Sequence, residues 1–134
     1  MTPFVIDASV TMAWCFDATH GTDILLERLG SDQAVVPAFW QLEVANVLLV
    51  AERGGRISEA QATRFLELLL ELPILIDTSP TSVTAVLAAG RRHGLSAYDA
   101  AYLVLAERMA APLGTLDLKL KAACGVAGVT VLTT

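Results

Sequence analysis

The stretch Phe4-Val5-Ile6-Asp7-Ala8-Ser9 decides how the rest of the chain is read. Three consecutive apolar residues, two of them β-branched, read as a first strand. The run stops at a carboxylate followed by two small residues, which is how a strand turns into a helix start. The carboxyl end of such a strand is also where open α/β sheets receive their ligands.

Working outward, four more short runs carry the same signature: Ala34-Val35-Val36 before Pro37, Ile74-Leu75-Ile76, Leu113-Gly114-Thr115-Leu116 and Val129-Thr130-Val131-Leu132. Helical patterns occupy the intervals, at about residues 10–16, 22–29, 38–53, 58–72, 81–93, 97–109 and 118–124. Gly54-Gly55 and His93-Gly94 read as helix stops. Strands alternating with helices predict an α/β domain with a largely parallel sheet. With no repeat or linker, residues 1–134 are expected to form one domain, long enough to bury roughly two-thirds of its unfolded surface.

Composition narrows the function classes. Apolar residues reach 54% and charged ones only 17%, an excess that reads as surface reserved for a partner. No apolar run approaches the roughly 20 residues that cross a bilayer, and the start carries no basic leader, so a soluble, cytoplasmic protein with no membrane partner is expected. Net charge is −5 and the pI about 4.8, the wrong sign for coating nucleic acid by neutralising phosphates. Chemistry on nucleic acid would have to rely on bound metal and on local basic residues such as Arg53, Arg56, Arg91, Arg92, Lys119 and Lys121. Cys15 and Cys124 stand alone in apolar helical contexts and are expected to be free thiols.

Four acids, Asp7, Glu43, Asp99 and Asp117, lie in apolar neighbourhoods where a surface charge is unexpected. Burying a carboxylate is costly, and repeating it at four distant positions suggests that they gather around a divalent cation. Asp7 and Asp117 each end a predicted strand, and a strand-order reversal between strands one and four would bring them face to face. Glu43 comes from a helix apolar nearly all round, predicted to be mostly buried, with Asn46 placed to orient its carboxylate or a water beside it. Asp99 comes from the first turn of the helix that feeds strand four. Hard ions such as Mg²⁺ or Mn²⁺ take oxygen ligands, so neither His20 nor His93 is required. Ser9 and Thr115 are read as hydroxyls that cap a helix or orient metal-bound water.

Each acid also has a purely structural reading. Asp7 and Asp117 suit helix N-caps, and Ser96 to Asp99 has the spacing of a capping box. Ser58-Glu59-Ala60-Gln61 has the same spacing with no chemistry attached, so spacing alone does not separate the two. Trp14, Trp40, Tyr98 and Tyr102 are read as core or interface residues.

Taken together, Val5-Ile6-Asp7-Ala8-Ser9, Glu43 with Asn46, Leu95-Ser96-Ala97-Tyr98-Asp99-Ala100 and Thr115-Leu116-Asp117-Leu118-Lys119-Leu120 resemble the PIN-domain ribonucleases, specifically toxins of the VapC type. The resemblance spans nearly the whole chain in the family's order. It implies a PIN-like three-layer fold with sheet order 3-2-1-4-5, and a Mg²⁺-dependent endoribonuclease activity with Mn²⁺ as substitute. It also implies a toxin held by a cognate antitoxin, with a homodimer in addition. Carried across by motif, Asp7, Glu43, Asp99 and Asp117 are the catalytic and metal-binding acids, supported by Ser9, Asn46 and Thr115. One departure is Leu118, which follows Asp117 where many relatives carry a basic residue.

Two rivals remain in view. A phosphatase or phosphotransfer domain also places Asp after strand one, but would need a second acid where Ala8 or Ser9 stands. A catalytically silent PIN-like domain would use the acidic pocket to dock a basic partner.

Overall fold

The computed structural model describes residues 2–16 and 22–133; His20 lies outside the described residues. The elements are β1 (Pro3–Ile6), α1 (Ala8–Phe16), α2 (Asp23–Arg28), β2 (Gln33–Pro37), α3 (Trp40–Arg53), α4 (Glu59–Leu70), β3 (Ile74–Asp77), α5 (Val83–His93), α6 (Ala97–Met109), β4 (Leu113–Gly114) and α7 (Leu118–Ala127). The four strands form one parallel sheet of order β3-β2-β1-β4, with Phe4 opposite Ala34, Ile6 opposite Gly114 and Val36 opposite Ile76. Phe4, Val5 and Ile6 are all fully buried, as are Ala34 and Val36 with Val35 at 1%. Because successive strand residues point to opposite faces, this means that helices cover both sides of the sheet.

Helix boundaries follow local chemistry. Ser58 and Gln61 form a complete capping box at α4, and Ser82 and Ser96 cap α5 and α6 through the third residue's N–H. Gly94 ends α5 in the left-handed region at φ 66°, where a side chain would be strained, and so sets the tight turn into α6. Cys15 and Cys124 are free thiols, and no described helix is long and apolar enough to cross a membrane.

Three expectations are corrected. The fourth strand was predicted over residues 113–116 but spans only Leu113–Gly114. The N–H groups of Thr115 and Leu116 go instead to the side chains of Thr133 and Ser9, which removes them from the ladder. Among the described residues, the predicted fifth strand is reduced to a single bridge of Val131 to Leu113, because a two-residue neighbour offers it no longer edge. The sheet therefore has four strands where the order 3-2-1-4-5 implied five, although the bridge lies on the expected side of β4. Finally, α3 is not mostly buried. Only Trp40, Val44, Leu48 and Ala51 are, while Leu42 (75%), Leu49 and Val50 are exposed, because the helix is covered along one stripe alone.

Candidate active site

In a parallel sheet, helices that follow strands begin at the carboxyl edge, as α1, α3 and α7 do, and α6, which follows α5 and runs back into β4, starts at that edge as well. Asp7 lies between β1 and α1, its Oδ1 accepting from the Val10 N–H at 3.3 Å. Asp117 is the N-cap of α7, its Oδ1 accepting from the Leu120 N–H at 2.9 Å. Asp99 and Glu43 lie in the first turns of α6 and α3. Asp7 and Asp117 therefore cap their own helices, while Asp99 and Glu43 sit in a first turn that another residue begins. Each carboxylate suits the positive end of its own helix, and the topology collects those ends at the reversal of strand order between β1 and β4.

Asp7 is 4% exposed and held by a closed network. The Ser9 hydroxyl donates to Oδ1 and the Thr115 hydroxyl to Oδ2, each at 2.5 Å. Those hydroxyls are themselves fixed, Ser9 accepting from the Leu116 N–H and Thr115 from the Asp117 N–H, both at 3.0 Å. Beneath, the Trp40 indole donates to the Thr11 hydroxyl at 3.0 Å, and Thr11 donates to the Asp7 carbonyl at 3.4 Å. Ser9 and Thr115 thus orient the Asp7 carboxylate.

Burial pushes the Asp7 carboxyl up to about 6, against the Ser9, Thr115 and Val10 hydrogen bonds that lower it, with a further upward push from Asp99. Glu43 is raised by burial and by Asp99, and Asp99 by burial and by Asp117. Asp99 is therefore the common electrostatic neighbour of the other three acids. None of the four is ion-paired with a Lys or Arg among the described residues.

The partner of Glu43 is not Asn46. Asn46 is exposed, and the Tyr102 hydroxyl donates to Glu43 Oε1 at 2.6 Å from a residue only 1% exposed. Burial and the Glu43 charge raise the Tyr102 phenol well above its ordinary range, so it stays protonated as the donor. A buried tyrosine one turn beyond Asp99 was the available signal, since a buried phenol O–H needs an acceptor. Of the basic residues named from sequence, Arg56 lies over the Phe16 ring at 4.0 Å, and Arg53, Arg91, Arg92 and Lys119 are exposed.

Among the described residues, no three His, Cys, Asp or Glu side chains converge closely enough to form a coordination sphere on their own. The acids are electrostatic neighbours, Asp99 pushing Asp7 and Glu43 upward and Asp117 pushing Asp99. Their donor chemistry, hard oxygens without imidazole or thiolate, still fits Mg²⁺, which usually takes one or two carboxylates and keeps several waters.

Fold and site together define a parallel α/β domain with a helix-capping acidic cluster at its strand-order reversal. The PIN domain family model matches residues 4–126, and the chain belongs to that family. It is similar to Ribonuclease VapC3 of Pyrobaculum aerophilum, 36% identical over 80 residues, covering 58% of this chain and 61% of that protein's length. The crystal structure of PAE2754 from Pyrobaculum aerophilum superposes with a TM-score of 0.73 at 26% identity, over 98% of this chain and 84% of that one. A toxin-antitoxin complex from Klebsiella pneumoniae contains a chain of the same fold, with a TM-score of 0.67 at 20% identity and 95% of both chains covered.

Proposed function

We propose that the protein is a Mg²⁺-dependent endoribonuclease, with Mn²⁺ as substitute, acting in the cytoplasm as the toxin of a toxin-antitoxin pair. The observation that carries this reading is the buried Asp7 carboxylate, clamped by two hydroxyls and pushed upward by burial and by the neighbouring Asp99, with no ion pair from Lys or Arg to Asp7 among the described residues. Holding unneutralised acids together is unfavourable for stability, and a site of this kind is accounted for by a cation that joins it. The similarity to a protein named as a ribonuclease supports the same conclusion.

Asp7, Asp99 and Asp117 would hold the ion between them, directly or through the waters it keeps, and Glu43 would either ligate it or position water. When bound, it would supply the positive charge that polarises a scissile phosphate and lowers the pKa of a water. The remaining roles belong to the protein. Ser9 and Thr115 keep both Asp7 oxygens in fixed directions, and Tyr102 keeps Glu43 from swinging to solvent. The helix N-termini of α1, α3, α6 and α7, where the four acids lie, would present their positive ends to an incoming phosphate.

The antitoxin partner is supported by exposed apolar surface. A groove lined by Trp14, Ile57, Phe65 and Leu68 opens beside α1 and α4, and Leu66, Leu68 and Leu70 of α4 are exposed. An amphipathic helix would fit such a groove, and the same kind of surface suits the proposed homodimer.

A specific observation favours the alternative of a silent domain that docks a basic partner: no three acids converge among the described residues. The decisive assay is purified protein on RNA with Mn²⁺, with and without chelator, beside Asp7→Asn and Asp99→Asn. Cleavage by the native protein alone, abolished by chelator, supports the nuclease. Equal activity in all three proteins means a contaminating enzyme, and no activity in any favours the silent domain.

A further inference from the structure

Tyr98 immediately precedes Asp99 and is 60% exposed, whereas Tyr102 and Trp40 are buried. Its ring meets Phe39 edge-on, with centroids 5.4 Å apart at 68°. Phe39 in turn meets Tyr102 at 5.3 Å and 76°, and Tyr102 holds Glu43. Three rings therefore run from the acidic cluster to solvent, ending in an open aromatic surface beside Asp99.

Behind Phe39 lies a groove of about 290 Å³, near the lower end of small-ligand sites at roughly 300 Å³. Phe39, Val104 and Leu105 give it apolar lining, and Ser79, Thr81 and Ser82 give it polar lining. Arg108, also on its wall, is already paired with Asp77 at 2.5 Å, so the groove offers no uncommitted guanidinium to a phosphate. An apolar surface with polar edges and no spare cation matches a planar heterocycle.

Charge points the same way. A chain of net charge −5 with an acidic centre cannot grip RNA chiefly through its phosphates. Stacking does not depend on charge, and every base has a π-face. We propose that Tyr98 and Phe39 form a stacking subsite for one unpaired nucleobase next to the scissile phosphate, with the groove behind Phe39 receiving the base's polar edge. This deepens the nuclease reading and rests on RNA being the substrate.

The test uses a short single-stranded RNA carrying one abasic position scanned along its length. Binding is read by fluorescence anisotropy in an Asp7→Asn background, and cleavage with Mn²⁺ is read separately. Tyr98→Ala weakens binding and raises KM about tenfold, and Tyr98→Phe and Tyr98→Trp restore both. One abasic position, beside the cleaved bond, removes the difference between Tyr98 and Ala. Equal binding by Tyr98→Ala, a loss shared by Tyr98→Phe, or a loss indifferent to every abasic position overturns the subsite. A changed oligomeric state with unchanged binding also overturns it, assigning Tyr98 to a subunit contact. Cleavage insensitive to Tyr98 sinks the subsite and leaves the nuclease standing. Tyr98-dependent binding that one abasic position removes, without cleavage by the native protein, supports base stacking at Tyr98 but sinks the nuclease and the placement beside a scissile phosphate, and absence of RNA binding sinks both.

Discussion

Asp7→Asn should stabilise the protein at neutral pH in the absence of divalent metal while abolishing cleavage. The folded state raises the Asp7 carboxyl from 3.8 to about 6. Below pH 4 both folded and unfolded forms are protonated, and the contribution to stability is at its full value. Between pH 4 and 6 the folded state holds a proton that the unfolded state has released, so stability falls as pH rises through that window. The difference of about 2 pKa units corresponds to about 3 kcal/mol, and the residue is too buried for solvent to screen much of it. An amide carries no charge to desolvate, but its NH₂ must face one of the two hydroxyls that now donate to Asp7, at a cost of about 1 kcal/mol. The net gain at pH 7 is about 2 kcal/mol. Taking roughly 2.1 cal/mol/K per residue over the whole chain, the unfolding entropy at the midpoint is about 0.28 kcal/mol/K, so Tm rises by about 7 °C. The assay is thermal melting of both proteins in chelator from pH 4 to 8. The native protein loses stability across pH 4 to 6, and the variant shows a flatter profile over that range. A variant less stable than the native protein at pH 7, with the same pH profile, would refute the reasoning and make Asp7 a helix cap and nothing more.

Two further outcomes follow from the hydrogen bonds around the acids. Tyr102→Phe removes the donor to a half-buried Glu43 and lowers stability by about 1 kcal/mol, discounted for the solvent that reaches Glu43; denaturant melts should show it, with cleavage reduced alongside. Thr115→Val keeps the side chain's shape but deprives Asp7 of one hydroxyl and the Asp117 N–H of its acceptor. The Asp7 carboxyl then moves further above 6, with a fall in stability, and carboxyl titration by NMR reads the direction.

What could be read in advance was whatever a few neighbouring residues decide. Short β-branched runs alternate with longer helical patterns along the chain, and that alternation predicts a largely parallel sheet. The Ser58 box, the Ser96 cap and the Asp117 cap are all contacts across three residues. Glu43's partner was missed because Tyr102 lies 59 residues away, whereas Asn46 was near in sequence. The length of β4 was misjudged because Thr115 and Leu116 look like strand residues, and only the Ser9 and Thr133 side chains divert their N–H groups.

By itself the sequence determined an alternating α/β chain, the strand ends that carry acids, and the helices those acids begin, because propensity, capping and periodicity act over a few residues. Only the tertiary structure decided that the acids become neighbours, that Thr115 reaches Asp7 across 108 residues, and that α3 leaves an apolar face open to solvent. Those outcomes depend on which strand lies beside β1, and strand order is settled by the packing of the whole sheet rather than by any local run of residues.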